Sequence, residues 1–218
     1  MKRGAIVLCG GKSSRMGYPK AMLPFGEERM LQRVVRLVAE VVPTEQIVVV
    51  AAPGQELPLL PTGIQLAADD RQNRGPLEGL AAGLQVIAGQ VDVAYATSCD
   101  VPLLQPAFIE QMFQLIGEQD IAIPKEDRFH HPLAACYRTT VLEPIRELLA
   151  ADRLRPFFLL EKVNSIEVPI DELRSADPEL ASLSNLNTPE DYLAALRAAG
   201  LTVSPEWKAH SGELLSGN

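Results

Sequence analysis

Apolar and polar positions follow two rhythms along this chain. Apolar runs occur at Ala5–Leu8, Ile47–Ala51 and Val91–Ala96, the last interrupted only by Asp92, and each is closed by glycine, proline or small polar residues. Such runs predict strands buried on both faces, as in the interior of a parallel sheet. Between them apolar residues recur at helical spacing. Met30–Val42 places Leu31, Val34, Val35, Leu37, Val38 and Val41 in this way, and Pro43 stops the helix. Leu77–Ile87 follows Pro76, which suits a first helical position. Helices are also expected at Pro106–Ile116 and Thr140–Ala150, with a shorter one at Arg155–Glu161. Further strands are expected at Ile64–Ala67, Asp120–Ile123, Leu133–Tyr137 and Ser165–Pro169. Residues 10–20 and 55–63 read as connections, and Lys125–His131 as a polar loop. Leu183–Asn187 reads as extended. Thr188-Pro-Glu-Asp191 has the form of a helix start, with Thr188 as cap and Asp191 in the capping-box position. That helix should run to about Ala199 and end at Gly200. Residues 201–218 lose the apolar period and read as a loose C-terminal tail after a domain at 1–200.

Alternating strands and helices over the first 120 residues predict an α/β fold, with a mostly parallel sheet and helices on both faces. In such sheets ligands bind outside the carboxyl ends of the strands. The Gly10 loop, Asp69 and Asp100 all follow predicted strands, so they are expected to share one crevice.

Composition narrows the partners. A chain of 218 residues suits one large domain, and 47% hydrophobic with 22% charged residues is ordinary for a globular protein. The net charge of −8 argues against a broad nucleic-acid or membrane surface. No apolar run nears the roughly 20 residues that span a bilayer. Cys9, Cys99 and Cys136 lie far apart without a CxxC pair, which argues against a disulfide framework or a zinc site. Free thiols and the lack of a signal peptide after Met1 lead to the expectation of a cytoplasmic protein.

The candidate chemistry begins at Gly10-Gly11-Lys-Ser13-Ser-Arg15-Met-Gly-Tyr-Pro-Lys20. A strand that ends in glycines and runs into cations suits polyphosphate, since the backbone can come close and present N–H groups. A glycine turn with solvated lysines is the plainer reading. The loop is neither GxxxxGK[ST] nor GxGxxG. Asp100, held between a strand and Pro102, suits Mg²⁺, which takes one or two carboxylates plus substrate phosphates. Read alone, it is more simply a turn cap. Gly75-Pro76 opens a helix whose N-terminus can meet an anion or a base, or simply cap a turn. Asp69 and Asp70 precede it, and one carboxylate can accept two hydrogen bonds from guanine or lie solvated in a turn. Asn185 and Asn187 face the same side of an extended segment, suited to a ligand or to capping. His130-His131-Pro132 reads as a substrate-contacting loop or a solvated turn. The adjacent histidines point apart and make a poor metal pair. No GxSxG signature supports nucleophilic hydrolysis.

Taken in order, Leu8-Cys-Gly-Gly-Lys-Ser-Ser-Arg-Met-Gly, Lys20, Gly75-Pro-Leu-Glu-Gly, Cys99-Asp100-Val-Pro, His131-Pro-Leu and Asn185-Leu-Asn-Thr-Pro-Glu-Asp resemble the molybdenum cofactor guanylyltransferases. The resemblance spans residues 5 to about 199. It implies a three-layer, Rossmann-like nucleotidyltransferase domain that uses Mg²⁺. The reaction it implies moves GMP from GTP to the phosphate of the molybdenum–molybdopterin acceptor and releases pyrophosphate. Molybdoenzyme apoproteins or their chaperones are further partners it suggests. By the same resemblance Leu8, Cys9 and Gly10 contact GTP, and Gly11, Ser13 and Arg15 continue the loop. Lys20 meets the phosphates, Asp69 lies near guanine, Asp100 holds the metal, and Asn185 and Asn187 face the acceptor. Arg15, Lys20 and Asp100 are the expected catalytic residues. Cys9 stands where alanine is usual. Pro19 and Ala51 depart from the guanylyl pattern, and Gly-x-Pro-Lys resembles the cytidylyltransferases. The Gly10-Gly11 pair and the two asparagines favour guanine.

Overall fold

The computed structural model describes residues 1–9, 16–69 and 74–209. In chain order the elements are β1 (Arg3–Leu8), β2 (Pro24–Phe25), β3 (Glu28–Arg29), α1 (Met30–Ala39), β4 (Ile47–Ala51), β5 (Gln65–Ala68), α2 (Pro76–Ile87), β6 (Val93–Ser98) and α3 (Pro106–Leu115). These are followed by β7 (Ile121–Glu126), β8 (Phe129–His130), β9 (Ala134–Arg138), α4 (Leu142–Ala150), α5 (Phe157–Leu160), β10 (Ser165–Pro169), α6 (Ile170–Leu173) and α7 (Pro189–Ala198).

The main sheet runs β10-β7-β9-β6-β1-β4-β5, with β8 attached to β7. β1 pairs in parallel with both β4 and β6, so the three apolar runs form its centre. Their lack of alternation reflects burial on both faces. Ala5, Val7, Ile47 and Val49 pack with α1 and α3. Ile6, Leu8, Val48 and Val50 pack with α2 and α4. β9 lies antiparallel between β6 and β7, which keeps the sheet mostly parallel, as the alternation predicts.

α2 lies unusually close to β1. A Cβ on Gly83 would come within 2.5 Å of Ile6, and one on Gly79 within 3.1 Å of Leu8. Real Cβ atoms do not sit at the first distance, so this seam requires glycine. It brings the N-terminus of α2 up to the carboxyl end of the sheet.

Three expectations need correction. Lys125–His131 is not simply a loop: β7 continues through Lys125 and Glu126, turns at Asp127 (φ 50), and returns as β8. Exposed polar side chains on that hairpin hide the strand pattern. β2 and β3 form a short hairpin inside a stretch with no predicted element. The loose tail is also wrong over 201–209. A helical turn occupies 205–209, and Trp207 is 2% exposed in a third core with Met16, Phe25, Met30, Leu186 and Tyr192. Ser204 caps this turn by accepting the N–H of Trp207 at 3.1 Å. Residues 210–218 lie outside the described residues. Among the described residues no helix is long and apolar enough to cross a membrane.

Candidate active site

Asp100 lies in the turn that leaves β6, and it is 8% exposed. Oδ1 accepts the Ser98 hydroxyl and, at 2.8 Å, the Asn185 amide. Oδ2 accepts the Lys20 ammonium at 2.6 Å. The main-chain carbonyl of Asp100 accepts the N–H of Leu186 at 2.9 Å, which binds the 184–187 segment to the β6 turn. Lys20 also donates to Asn187 Oδ1 at 3.1 Å. Lys20, Asp100, Asn185 and Asn187 therefore meet in one cluster, although up to 167 residues separate them in sequence.

Local chemistry fixes each member. The Asp191 carboxylate accepts the N–H groups of Asn187 and Thr188, each at 2.9 Å, while Thr188 Oγ1 accepts the Asp191 N–H at 3.2 Å. These bonds hold the Asp191 carboxyl below its usual range, that from Asn187 first. The capping box thus does two things: it starts α7 and it fixes the backbone that carries Asn187. Lys20 opens a one-turn 3-10 helix, with extended Pro19 before it (φ −60, ψ 117).

A cleft of about 560 Å³ opens over the carboxyl ends of the strands. Leu8, Val50, Asp69, Gly79, Ser98 and Asp100 are among its walls. Its volume lies within the roughly 300–1,000 Å³ usual for small-molecule pockets. Asp69 leaves β5 with its N–H on the Ala51 carbonyl at 2.9 Å. Gly75, at φ +80, makes the turn into α2, where Pro76 takes the first helical position. A smaller cavity of about 220 Å³ shares Pro76, Leu133 and Asn185 with the cleft and is lined by His130 and His131. His130 Nε2 lies 2.7 Å from Glu167. Burial pushes His131 below its ordinary value, and its Nε2 is buried without a hydrogen bond.

Cys9 follows β1, with its N–H on Val50 at 2.7 Å. A hydrogen bond with Cys99 and then burial push its thiol well above the ordinary range. That makes it a protonated packing residue, with no thiolate for nucleophilic chemistry. Gly10, Gly11, Lys12, Ser13, Arg15 and Asp70 lie outside the described residues. Sequence reasoning missed Ser98 and Gln55. The Gln55 amide donates to the Cys9 carbonyl at 3.2 Å and accepts the Ala52 N–H at 3.1 Å, joining the ends of β1 and β4. A hydroxyl two residues before Asp100 was a readable signal for Ser98. Gln55 sits in an irregular connection and carried none.

Among the described residues of this cluster, Asp100 is the one carboxylate that a hard divalent ion could use. Asp100 Oδ2 already holds a cation, the Lys20 ammonium. Among the described residues no cluster of three or more His, Cys, Asp or Glu forms a metal site by itself. A cation here would share Asp100 with substrate phosphates, the mode that magnesium favours.

Residues 5–168 match the family described as the MobA-like NTP transferase domain. A probable molybdenum cofactor guanylyltransferase from Methanosarcina acetivorans is 34% identical over 202 residues, 87% of this chain and 88% of the relative. One from Mycobacterium avium is 33% identical over 204 residues, 91% and 97% of the two chains. Molybdopterin-guanine dinucleotide biosynthesis protein A from Archaeoglobus fulgidus superposes with a TM-score of 0.74 at 23% identity, covering 92% of this chain and 99% of its own. The 2-C-methyl-D-erythritol 4-phosphate cytidylyltransferase of Thermus thermophilus gives 0.65 at 14% identity, with 92% and 100% covered. At these identities the two structures establish a shared fold.

Proposed function

The chain belongs to the MobA-like NTP transferase domain family, and from that premise we propose that it transfers GMP from GTP to the phosphate of the molybdenum–molybdopterin cofactor. The observation that carries this reading is the convergence of Lys20, Asp100, Asn185 and Asn187 beside a cleft at the carboxyl ends of the strands. An acceptor phosphate oxygen attacks the α-phosphorus in line. The bond from that phosphorus to the bridging oxygen breaks, and pyrophosphate leaves with the electron pair. The acceptor is already ionised, so no general base is needed.

Catalysis is then positioning and charge neutralisation. Lys20 exchanges Asp100 for phosphate oxygens by turning its flexible stem. Arg15 adds a second cation from the loop. Asp100, braced by Ser98 and Asn185, would hold Mg²⁺. When bound, the ion supplies charge neutralisation at the phosphates. Asp69 accepts from the guanine edge at the far side of the cleft, while Gly75 and the start of α2 line it. Asn185 also borders the smaller histidine-lined cavity, which suits the acceptor side.

Ala51 and Pro19 favour a second reading, cytidylyl transfer, because the last residue of β4 carries no amide and the Gly-x-Pro-Lys run resembles the cytidylyltransferases. One experiment separates the two. Purified protein with Mg²⁺ and the acceptor is given GTP, CTP, ATP or UTP in turn, and pyrophosphate is measured. Release with GTP is expected. Release with CTP alone would overturn the guanine assignment.

A further inference from the structure

Lys20 and Asn187 are rooted in the third core rather than in the sheet. That core joins Met16, Leu23, Phe25 and Met30 to Leu186 and Tyr192, and Trp207 closes it. The C-terminal segment reaches it in steps. Gly200, at φ +68, ends α7, and the Leu201 N–H bonds back to the Leu196 carbonyl at 2.8 Å. Leu201 then packs over Gly26, where a Cβ would lie 3.3 Å from its side chain. Trp207 packs edge-on against Tyr192, with ring centroids 4.8 Å apart, and against Tyr18 at 6.3 Å.

Beside the tryptophan, Glu206 accepts the Tyr18 hydroxyl, and its two oxygens accept Arg29 Nη1 at 2.8 and 2.9 Å. The same Nη1 donates to the Met22 carbonyl at 3.0 Å. Tyr18 and Met22 stand two residues before and two residues after Lys20. One carboxylate thus ties down the chain on both sides of the lysine, through a side chain on one flank and a carbonyl on the other.

From this juxtaposition we propose that Glu206 is a positioning residue, acting through Tyr18 and Arg29 to set where Lys20 presents its ammonium. The C-terminal turn is then a clasp on the phosphate-facing loop. The inference rests on the nucleotidyl-transfer reading, in which Lys20 meets the phosphates. Arg29 and Tyr18 hold the Glu206 carboxyl below its usual range, so the clasp is charged at neutral pH.

Tyr18→Phe and Glu206→Gln test it, because both keep the packing around Trp207. Measured in the full chain with Mg²⁺, GTP and the molybdenum–molybdopterin acceptor, each should lower kcat/KM by about tenfold, as expected for a slightly misplaced catalytic group. In a Lys20→Ala background, followed with enzyme in excess, neither should cause a further loss, because the group they position is absent. Unchanged kcat/KM in both single variants would overturn the proposal. So would the same loss with and without Lys20, which marks a merely structural role. If wild-type protein released no pyrophosphate with any nucleoside triphosphate, the functional reading itself would fail, a result distinct from either of these.

Discussion

In the nucleotide-free protein, Lys20→Met removes the cation 2.6 Å from Asp100 Oδ2 while keeping most of the side-chain volume. At an effective dielectric constant of about 20, that separation corresponds to roughly 6 kcal/mol of attraction. Desolvation of two groups whose side chains are only 19% and 11% exposed offsets most of it. Asp100 also keeps Ser98 and Asn185 as donors, so the stranded carboxylate is not wholly uncompensated. The expected loss is about 2 kcal/mol, below the roughly 3–5 kcal/mol of a fully buried pair that loses one member. Asp100→Asn leaves a lysine with a path to water and should cost about 1 kcal/mol. The double variant should be less damaged than the sum, with a coupling energy of about 1–2 kcal/mol. Urea denaturation of the four proteins, without Mg²⁺ or nucleotide and followed by circular dichroism, measures this. Additivity within about 0.5 kcal/mol would refute the reasoning, because it would mean that the pair does not form in solution.

Asp100→Ala should abolish GTP-dependent transfer, and retention of near wild-type pyrophosphate release would remove Asp100 from the site. Lys20→Ala should slow transfer by about 10²–10³, the usual loss when one charge-stabilising group is removed; an unchanged single-turnover rate would exclude it. Gly83→Ala drives a methyl group into Ile6. Overpacking of about 1–3 kcal/mol should outweigh the roughly 1 kcal/mol of helix propensity gained, lowering Tm by several degrees; a raised Tm would refute the close seam. The clasp has a pH signature. Arg29 and then Tyr18 depress the folded-state value of Glu206, so its stabilisation is full above the unfolded value of about 4.3 and is lost as pH falls through the lower folded value. The Tm gap between wild type and Glu206→Gln should be open at pH 7 and close in acid; a gap that does not change with pH would contradict the ionised clasp.

The elements most legible in the sequence were those whose side chains face a single kind of environment. Ala5–Leu8, Ile47–Ala51 and Val93–Ser98 are buried throughout and carry no competing pattern. β8 was hidden because Phe129 is exposed and His130 faces Glu167, so neither marks a core face. The C-terminal turn was hidden because one tryptophan does most of its packing. Yet Ser204-Pro-Glu repeats the cap, proline and glutamate of Thr188-Pro-Glu, a signal that could have been read. Within the site, the residue types were legible and the pairings were not. Asn185 and Asn187 could be placed on one side of an extended segment. That their targets are the Asp100 carboxylate and the Lys20 ammonium depends on contacts across 85 and 167 residues, which no local pattern encodes.

The reversed strand β9 has a consequence for how such a protein can diversify. Thr97, near the end of β6, pairs with Ala134 at the start of β9. The segment that enters β9 therefore arrives at the edge where its parallel neighbours deposit the segments that leave them. It brings His131 and Leu133 there without touching the order of β1, β4 and β5. Length and sequence between β7 and β9 can drift while the glycine-turn half of the sheet stays constant. Under the proposed assignment, with the acceptor on the histidine side, one scaffold can in this way exchange one reactant for another and leave its partner's seat unaltered.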